Sequence, residues 1–274
     1  MKKNRVALTL GCVLAAFALP ACSHSSHPQD QNENHTALDQ KDSDAAHHET
    51  ADLGESLFNG KDFTGWVMRN PKKADVWSVV SDVRLNPHNH RQLEAPDPAE
   101  GNGGIMLRNG EGDSGGRTGT DIFTEKKFGD CQVHVEFMIP EKSNSGVYFM
   151  GEYEIQIWSD IGTPKDKLGV HNTGAVYATK PPPFIALNPY GEWNTYDITF
   201  RAPRFDASGN KIEDAKFIKV VLNGKTVQTD VDTPKPTGSQ IHNKEVATGP
   251  LMLQGDHGPV AFRNIRIKPL NDAK

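Results

Sequence analysis

Asn144-Ser145-Gly146-Val147-Tyr148-Phe149-Met150-Gly151-Glu152-Tyr153-Glu154-Ile155-Gln156-Ile157-Trp158-Ser159 is the stretch from which the fold can be read. From Glu152 onward its residues alternate, with Tyr153, Ile155 and Ile157 on one side and Glu152, Glu154, Gln156 and Trp158 on the other. A strand repeats every two residues, so the apolar set enters a core and the carboxylates, amide and indole share the opposite face. Two carboxylates on one strand repel unless something needs them, and a flat aromatic beside them suits a pyranose ring. Glu154, at the strand's centre, is the better candidate of the two acids. The alternative places Glu152 at a strand end in water and Trp158 in the core.

The same alternation recurs on both sides of this stretch. Val133, Val135, Phe137 and Ile139 face one way, against Gln132, His134, Glu136 and Met138. The short link from Pro140 to Ser145 makes antiparallel pairing of the two stretches plausible, which would bring His134 and Glu136 near Glu152 and Glu154. Downstream, Tyr196, Ile198 and Phe200 alternate with Thr195, Asp197, Thr199 and Arg201. Ala175 to Thr179 reads as a short strand, and Phe217 to Leu222, Asn223-Gly224 and Lys225 to Gln228 read as a hairpin with a tight turn. Trp66 and Trp77 read as core. No segment carries helical periodicity with caps. Many short one-sided strands and 25 glycines predict an all-β fold, a two-sheet antiparallel jelly-roll sandwich.

The chain's start has a different character. Lys2, Lys3 and Arg5 precede an apolar run from Val6 to Leu19, the pattern of a secretory signal peptide. Leu19-Pro20-Ala21-Cys22 resembles a bacterial lipobox, with Pro20 where a small or short aliphatic residue is more usual. Residues 1–22 are therefore expected to be a lipoprotein leader, with Cys22 lipidated and the protein anchored to a membrane of the cell envelope; an ordinary leader cut near Ala21 is the alternative. Residues 23–52 are polar, carry five of the eleven histidines and lack the apolar residues needed to fold, so they predict a disordered tether. The folded domain is expected over 53–270. Of three cysteines only Cys131 lies in it, so no disulfide framework arises. Thirty basic against 35 acidic residues, a net charge of −5, give no nucleic-acid-binding surface.

Several stretches together, in order and across nearly the whole domain, resemble the 3-keto-disaccharide hydrolase domain family, which is related to concanavalin-like glucanases. They include Leu57-Phe-Asn-Gly-Lys-Asp-Phe-Thr-Gly-Trp66, Asn144-Ser-Gly-Val147, Tyr153-Glu-Ile-Gln-Ile157, Gly174-Ala-Val-Tyr177, Gly191-Glu-Trp-Asn-Thr-Tyr-Asp197, Thr248-Gly-Pro-Leu251 and Val260-Ala-Phe-Arg-Asn-Ile-Arg266. The resemblance implies a sandwich that holds a small carbohydrate and acts on glycosides already oxidised to a ketone at C3. Such a ketone acidifies the C2 hydrogen, so a base can form an enolate and the C1 substituent leaves by β-elimination. Water then adds to the enone.

That chemistry needs a base near C2, a donor or cation for the enolate oxygen, and an acid for the departing oxygen. Glu154 is the expected base, with its pKa raised by Glu152 or Glu136; Arg263 or His257 is expected at the enolate oxygen. Tyr177, His134 or Lys61 would orient hydroxyls or protonate the leaving group, and Glu136, Gln156 and Trp158 complete the expected substrate contacts. Two other readings stand beside this one. A retaining glucanase-like glycosidase would use paired acids, but Gln156 occupies the place of that motif's third acid. A non-catalytic carbohydrate-binding module would need only the sandwich and Trp158. A divalent metal ion is compatible with the domain's histidines and carboxylates, yet no spacing such as His-Glu-x-x-His assigns a ligand set.

Overall fold

The computed structural model describes residues 53–96, 103–110 and 118–270. The expected leader, the lipidated Cys22, the tether and part of the glycine-rich segment after Gly110 lie outside the described residues. Within them the first strands are β1 (Glu55–Ser56), β2 (Trp66–Met68), β3 (Trp77–Val80), β4 (Arg84–Leu85), β5 (Leu93–Glu94), β6 (Ile105–Arg108), β7 (Ile122–Phe128) and β8 (Cys131–Met138). They continue with β9 (Asn144–Phe149), β10 (Tyr153–Trp158), β11 (Asn194–Arg201), β12 (Arg204–Phe205), β13 (Lys211–Glu213), β14 (Ala215–Leu222), β15 (Lys225–Thr233), β16 (Gly249–Leu253) and β17 (Val260–Pro269). Two short 3-10 turns, Pro71–Val76 and Lys165–Lys167, are the helical content. Among the described residues no helix is long and apolar enough to cross a membrane.

Two antiparallel sheets carry the fold, as the alternation predicts. The larger runs β15-β14-β11-β8-β17-β6-β3, with β1 beside β17; the smaller runs β10-β9-β16-β7-β2. Their facing sides supply one apolar core. Phe149 and Tyr153 of the small sheet meet Phe200 and Phe217 of the large one, with ring centroids 4.8 Å apart for Phe149–Phe200, 5.4 Å for Phe149–Phe217 and 5.7 Å for Tyr153–Phe200. Truncating a ring so enclosed typically costs about 3–5 kcal/mol. The Tyr196 hydroxyl crosses the core to donate to the Gln156 carbonyl at 2.8 Å, which ties the sheets together. Trp66 and Trp77 are buried as expected, each spending its indole N–H on a backbone carbonyl. Asn223 and Gly224 both adopt positive φ, 51° and 74°, and turn β14 into β15.

Three local expectations are corrected. The opening stretch forms a hairpin of two strands, β9 and β10, because Met150 and Gly151 adopt φ of 58° and 66° and reverse the chain. Glu152 therefore sits in the turn and lies outside β10. β8 does not pair with this hairpin: it lies between β11 and β17 in the other sheet, so the 140–143 link crosses between sheets. The strand expected over Ala175–Thr179 is reduced to isolated bridges of Val176 with Ile155 and Lys180.

Candidate active site

On the side of the small sheet that faces away from the core, register brings one set of polar residues together. Glu154 lies opposite Tyr148, Gln156 opposite Gly146, and Trp158 opposite Asn144. Gly146 is needed here for space: a Cβ on it would fall 2.2 Å from Glu154 Oε1, so the carboxylate lies flat across bare backbone. This face is covered by loops. The Tyr177 N–H donates to the Glu154 carbonyl at 3.1 Å, which seats segment 169–180 along the free edge of β10. Thr237 Oγ1 accepts the Glu154 N–H at 2.9 Å and draws in a second loop. From β16 the chain continues through Gln254 to His257, with the Gln254 N–H donating to the Gly146 carbonyl at 2.9 Å.

The result is a cavity of about 140 Å³. β9 gives it Asn144 and Tyr148, β10 gives Glu154 and Gln156, and the loops give Tyr177, Gly238, Ser239, Gln254 and His257. Glu154 is 2% exposed and is the one carboxylate among the described residues that line it. Burial pushes its pKa up to about 8, with the charges of Asp121 and Asp256 adding to the rise and a hydrogen bond from Tyr148 opposing it. Tyr148 and Tyr177 are driven upward in turn, chiefly by burial and then by Glu154. Three other acceptors in the cavity have no partner: Asn144 Oδ1, Gln156 Oε1 and Gln254 Oε1 are all buried and unbonded. The Gln156 side-chain orientation is fixed, because its Nε2 donates to the His171 carbonyl at 3.1 Å. Unsatisfied buried acceptors are costly, and these converge where a ligand bearing hydroxyl donors would satisfy them.

His257 is held from behind by Asp256, whose Oδ1 contacts Nδ1. A carboxylate can only accept, so Nδ1 carries hydrogen and the catalytic potential of the ring lies at Nε2. The 254–257 segment is itself braced. Arg108, 1% exposed, donates from Nε to the Gly255 carbonyl at 2.9 Å, and Asp121 Oδ1 accepts the Gly255 N–H at 3.1 Å. Burial lowers the Arg108 pKa while Asp256 opposes that; burial and then Asp256 raise Asp121.

Of the residues expected from sequence, the cavity gathers Glu154, Gln156, Tyr177 and His257. The others are elsewhere. Arg263 stands on β17 in the large sheet, its Nε bonded to Glu136 Oε2 at 2.7 Å and its guanidinium 3.9 Å from the centre of the Trp193 ring. His134 bonds Asp197 at 2.7 Å on the outer side of that same sheet. That pair flanks a wider groove of about 310 Å³, whose polar walls are solvated strand faces and whose His134 and Asp197 satisfy each other. Lys61 is exposed at the Asn59–Asp62 turn, and Trp158, at the end of β10, does not line the cavity. Glu152 points into a separate cluster with Glu245, so it is not what raises Glu154. Glu136 is equally remote. Among the described residues no group of three or more His, Cys, Asp or Glu side chains could hold a metal ion. The sequence reading passed over Asn144, Tyr148, Gln254 and Asp256. Asn144, Gly146 and Tyr148 do share a face at period two, which was a legible signal; Gln254 and Asp256 follow a strand end and carried none.

A sequence profile of the 3-keto-alpha-glucoside-1,2-lyase-like domain matches residues 54–268. The chain belongs to this family. A relative from Bacteroides thetaiotaomicron named 3-keto-disaccharide hydrolase is 26% identical over 98% of this chain and its own full length. Two crystal structures of candidate glycosyl hydrolases from Parabacteroides distasonis are also similar. One is 26% identical with a TM-score of 0.55 over 79% of this chain and 83% of its own. The other, 24% identical with a TM-score of 0.51, covers 78% and 93% and speaks to the fold alone. Within this 3-keto-alpha-glucoside-1,2-lyase-like domain, the matched span contains both sheets and every residue that lines the cavity.

Proposed function

We propose that this protein cleaves 3-keto-glycosides by removing the C2 proton and eliminating the C1 substituent, with Glu154 as the base. The supporting observation is a single buried carboxylate, its pKa near 8, in a small cavity otherwise lined by hydroxyls, amide oxygens and one imidazole. A base is most effective when its pKa lies near the working pH, and a carboxylate at 8 attacks a C–H far better than one at 4.5. The steps balance without an outside oxidant. Glu154 takes the C2 proton, the electron pair forms the enolate, and its collapse expels the C1 oxygen, which takes a proton from Tyr177. Water adding to the enone gives net hydrolysis.

With Arg263 engaged in the other sheet, the enolate oxygen is assigned to His257, whose ring Asp256 holds with Nε2 turned to where negative charge develops. Gln156, Gln254 and Asn144 are assigned to the sugar's remaining hydroxyls. The paired-acid glycosidase is disfavoured because Glu154 is the one carboxylate among the described residues that line the cavity. For location, we propose that residues 1–22 direct export and that Cys22 is acylated, holding the domain at the cell envelope through the 23–52 tether. Loss of fatty-acid labelling in Cys22→Ser would support this; unchanged labelling would defeat it.

The deciding experiment offers the protein a 3-keto-glucoside and the matching unoxidised glucoside in deuterated water. Cleavage of the ketone alone, with deuterium at C2 of recovered substrate, is the expected result. Cleavage of the unoxidised sugar would favour the glycosidase, and binding of either without turnover the binding module.

A further inference from the structure

A second buried carboxylate lies behind one wall of the cavity. Glu152, in the turn between β9 and β10, is 0% exposed, and neither of its carboxylate oxygens has a well-formed hydrogen bond. Segment 234–246 runs over this turn and is bonded to its backbone. The Thr237 N–H donates to the Glu152 carbonyl and the Ile241 N–H to the Gly151 carbonyl, both at 3.0 Å. Between these two anchors, Gly238 and Ser239 form part of the cavity wall, and Thr237 Oγ1 holds the Glu154 N–H. From the far side Arg69 donates to the Ser239 carbonyl at 2.7 Å.

The titratable groups around Glu152 come from three elements: Glu245 from the overlying segment, Tyr153 from β10 and Lys211 from β13; Asp214, between β13 and β14, acts on Tyr153. Their donors are committed to other partners. Lys211 Nζ is shared between Glu245 and Asp214, 3.0 Å from each, and the Pro234 carbonyl. The Tyr153 hydroxyl donates to Glu245 at 2.5 Å. Glu152 is left beside an acid whose donors are already taken.

We propose that Glu152, as a neutral carboxylic acid, is a positioning residue that allows segment 237–241 to close over the β9–β10 turn and form the cavity wall. Its ionisation leaves a charge in an apolar enclosure next to Glu245, and the segment must lift to admit water. Burial, and then Glu245, push its pKa up to about 8; the Val246 N–H, Tyr153 and Lys211 oppose this. The closed state therefore keeps a proton that the open state releases. Opening becomes easier as pH rises from about the ordinary 4.5 towards 8 and levels off above it, by up to about tenfold per pH unit. His242, on the same segment, is pulled below its ordinary value by burial and Lys127, so its own transition lies lower.

Only the consequence for turnover rests on the proposed function; the seating of the segment does not. The test measures hydrogen-exchange protection factors of the Thr237 and Ile241 amides in the full chain between pH 5 and 8, relative to the core amide of Ile198. In the wild type they should fall with pH by up to tenfold per unit. In Glu152→Gln, which keeps the shape and loses the titration, the slope should be markedly shallower; Glu136→Gln, on the large sheet, should keep the wild-type slope. Should Glu152→Gln not fold, Glu245→Gln, which removes the neighbouring charge, should shallow the slope. A flat wild-type profile overturns the proposal, as does a slope that survives Glu152→Gln unchanged or disappears in Glu136→Gln. If the slope behaves as stated while no 3-keto-glucoside is cleaved, the function fails and this inference stands.

Discussion

The two sheets present opposite solutions on their outer faces. On the large sheet, strand β11 alternates buried and half-buried residues along its whole length, and its outward charges find partners: His134 with Asp197, Glu136 with Arg263. On the small sheet, β9, β10 and β16 are buried on both faces, and the outward polar groups keep unbonded oxygens and an acid near pH 8. The sequences of the two faces look alike, since both alternate polar with apolar. What separates them is the loops, which leave one face in water and enclose the other. An opposite charge makes a carboxylate stable and inert, and enclosure without one leaves it reactive.

The largest effect separating the faces should come from Glu154→Gln. If Glu154 is the base, kcat falls by about 10²–10⁴-fold, while Glu136→Gln on the other face leaves turnover unchanged. Steady-state kinetics of the two isosteric variants on a 3-keto-glucoside makes the comparison. Equal losses would erase the distinction between the faces.

Gly146→Ala tests the enclosure without touching the acid. The added methyl must occupy space held by Glu154 Oε1, Cδ and Cγ, so the carboxylate moves or the strands part. A displacement near 1 Å from a reacting atom costs about 10²-fold in kcat. Gly209→Ala, at a turn with nothing within reach of a Cβ, controls for the loss of a glycine, although its φ of 82° adds some strain.

The pH dependence follows from the same enclosure. Glu154 must be ionised to act, so kcat/KM should rise about tenfold per unit towards pH 8 and then level. Stability runs the other way. A carboxyl whose folded pKa is raised binds a proton that the unfolded chain releases, so stability is highest below the unfolded pKa of about 4.5 and falls as pH rises towards 8. For a group this buried, the loss is on the order of 4 kcal/mol. Urea denaturation from pH 5 to 8 should show the slope in the wild type and a shallower one in Glu154→Gln. Because Glu152 contributes a slope of the same sign, the double variant should be the flattest.

The legibility of the molecule divides along the same line. Strands, hairpins and the core aromatics were readable because Phe200, Tyr196 and Ile198 obey a period of two that local sequence contains. That Glu154 and Gln156 share the face away from the core was readable for the same reason. His134 and Glu136 were expected beside Glu154 because period two gives a face and says nothing of which sheet owns it, and the crossing at residues 140–143 carries them to the other sheet; Arg263 was chosen only as a cation for the enolate oxygen. His257 could be proposed only as an imidazole near a glycine-rich strand end. The bracing of its segment by Arg108 and Asp121, 147 and 134 residues from Gly255, comes from tertiary contact alone.

The smallest effect belongs to the paired face, and it is informative because it should be small. Arg263 lies against Trp193 and bonds Glu136, a carboxylate that also accepts from Asn264 Nδ2 at 2.6 Å. With the arginine side chain 36% exposed, solvent screens the pair, and removing it by Arg263→Ala should cost about 0.5–1 kcal/mol, part of it lost contact with the indole. Turnover should be unchanged, because Glu136 retains Asn264 and water. A Tm shift of a few degrees with constant kcat would place Arg263 wholly within the structural face. A loss of kcat comparable to that of Gly146→Ala would mean that the enolate oxygen reaches the large sheet after all, and the assignment of that role to His257 would fall.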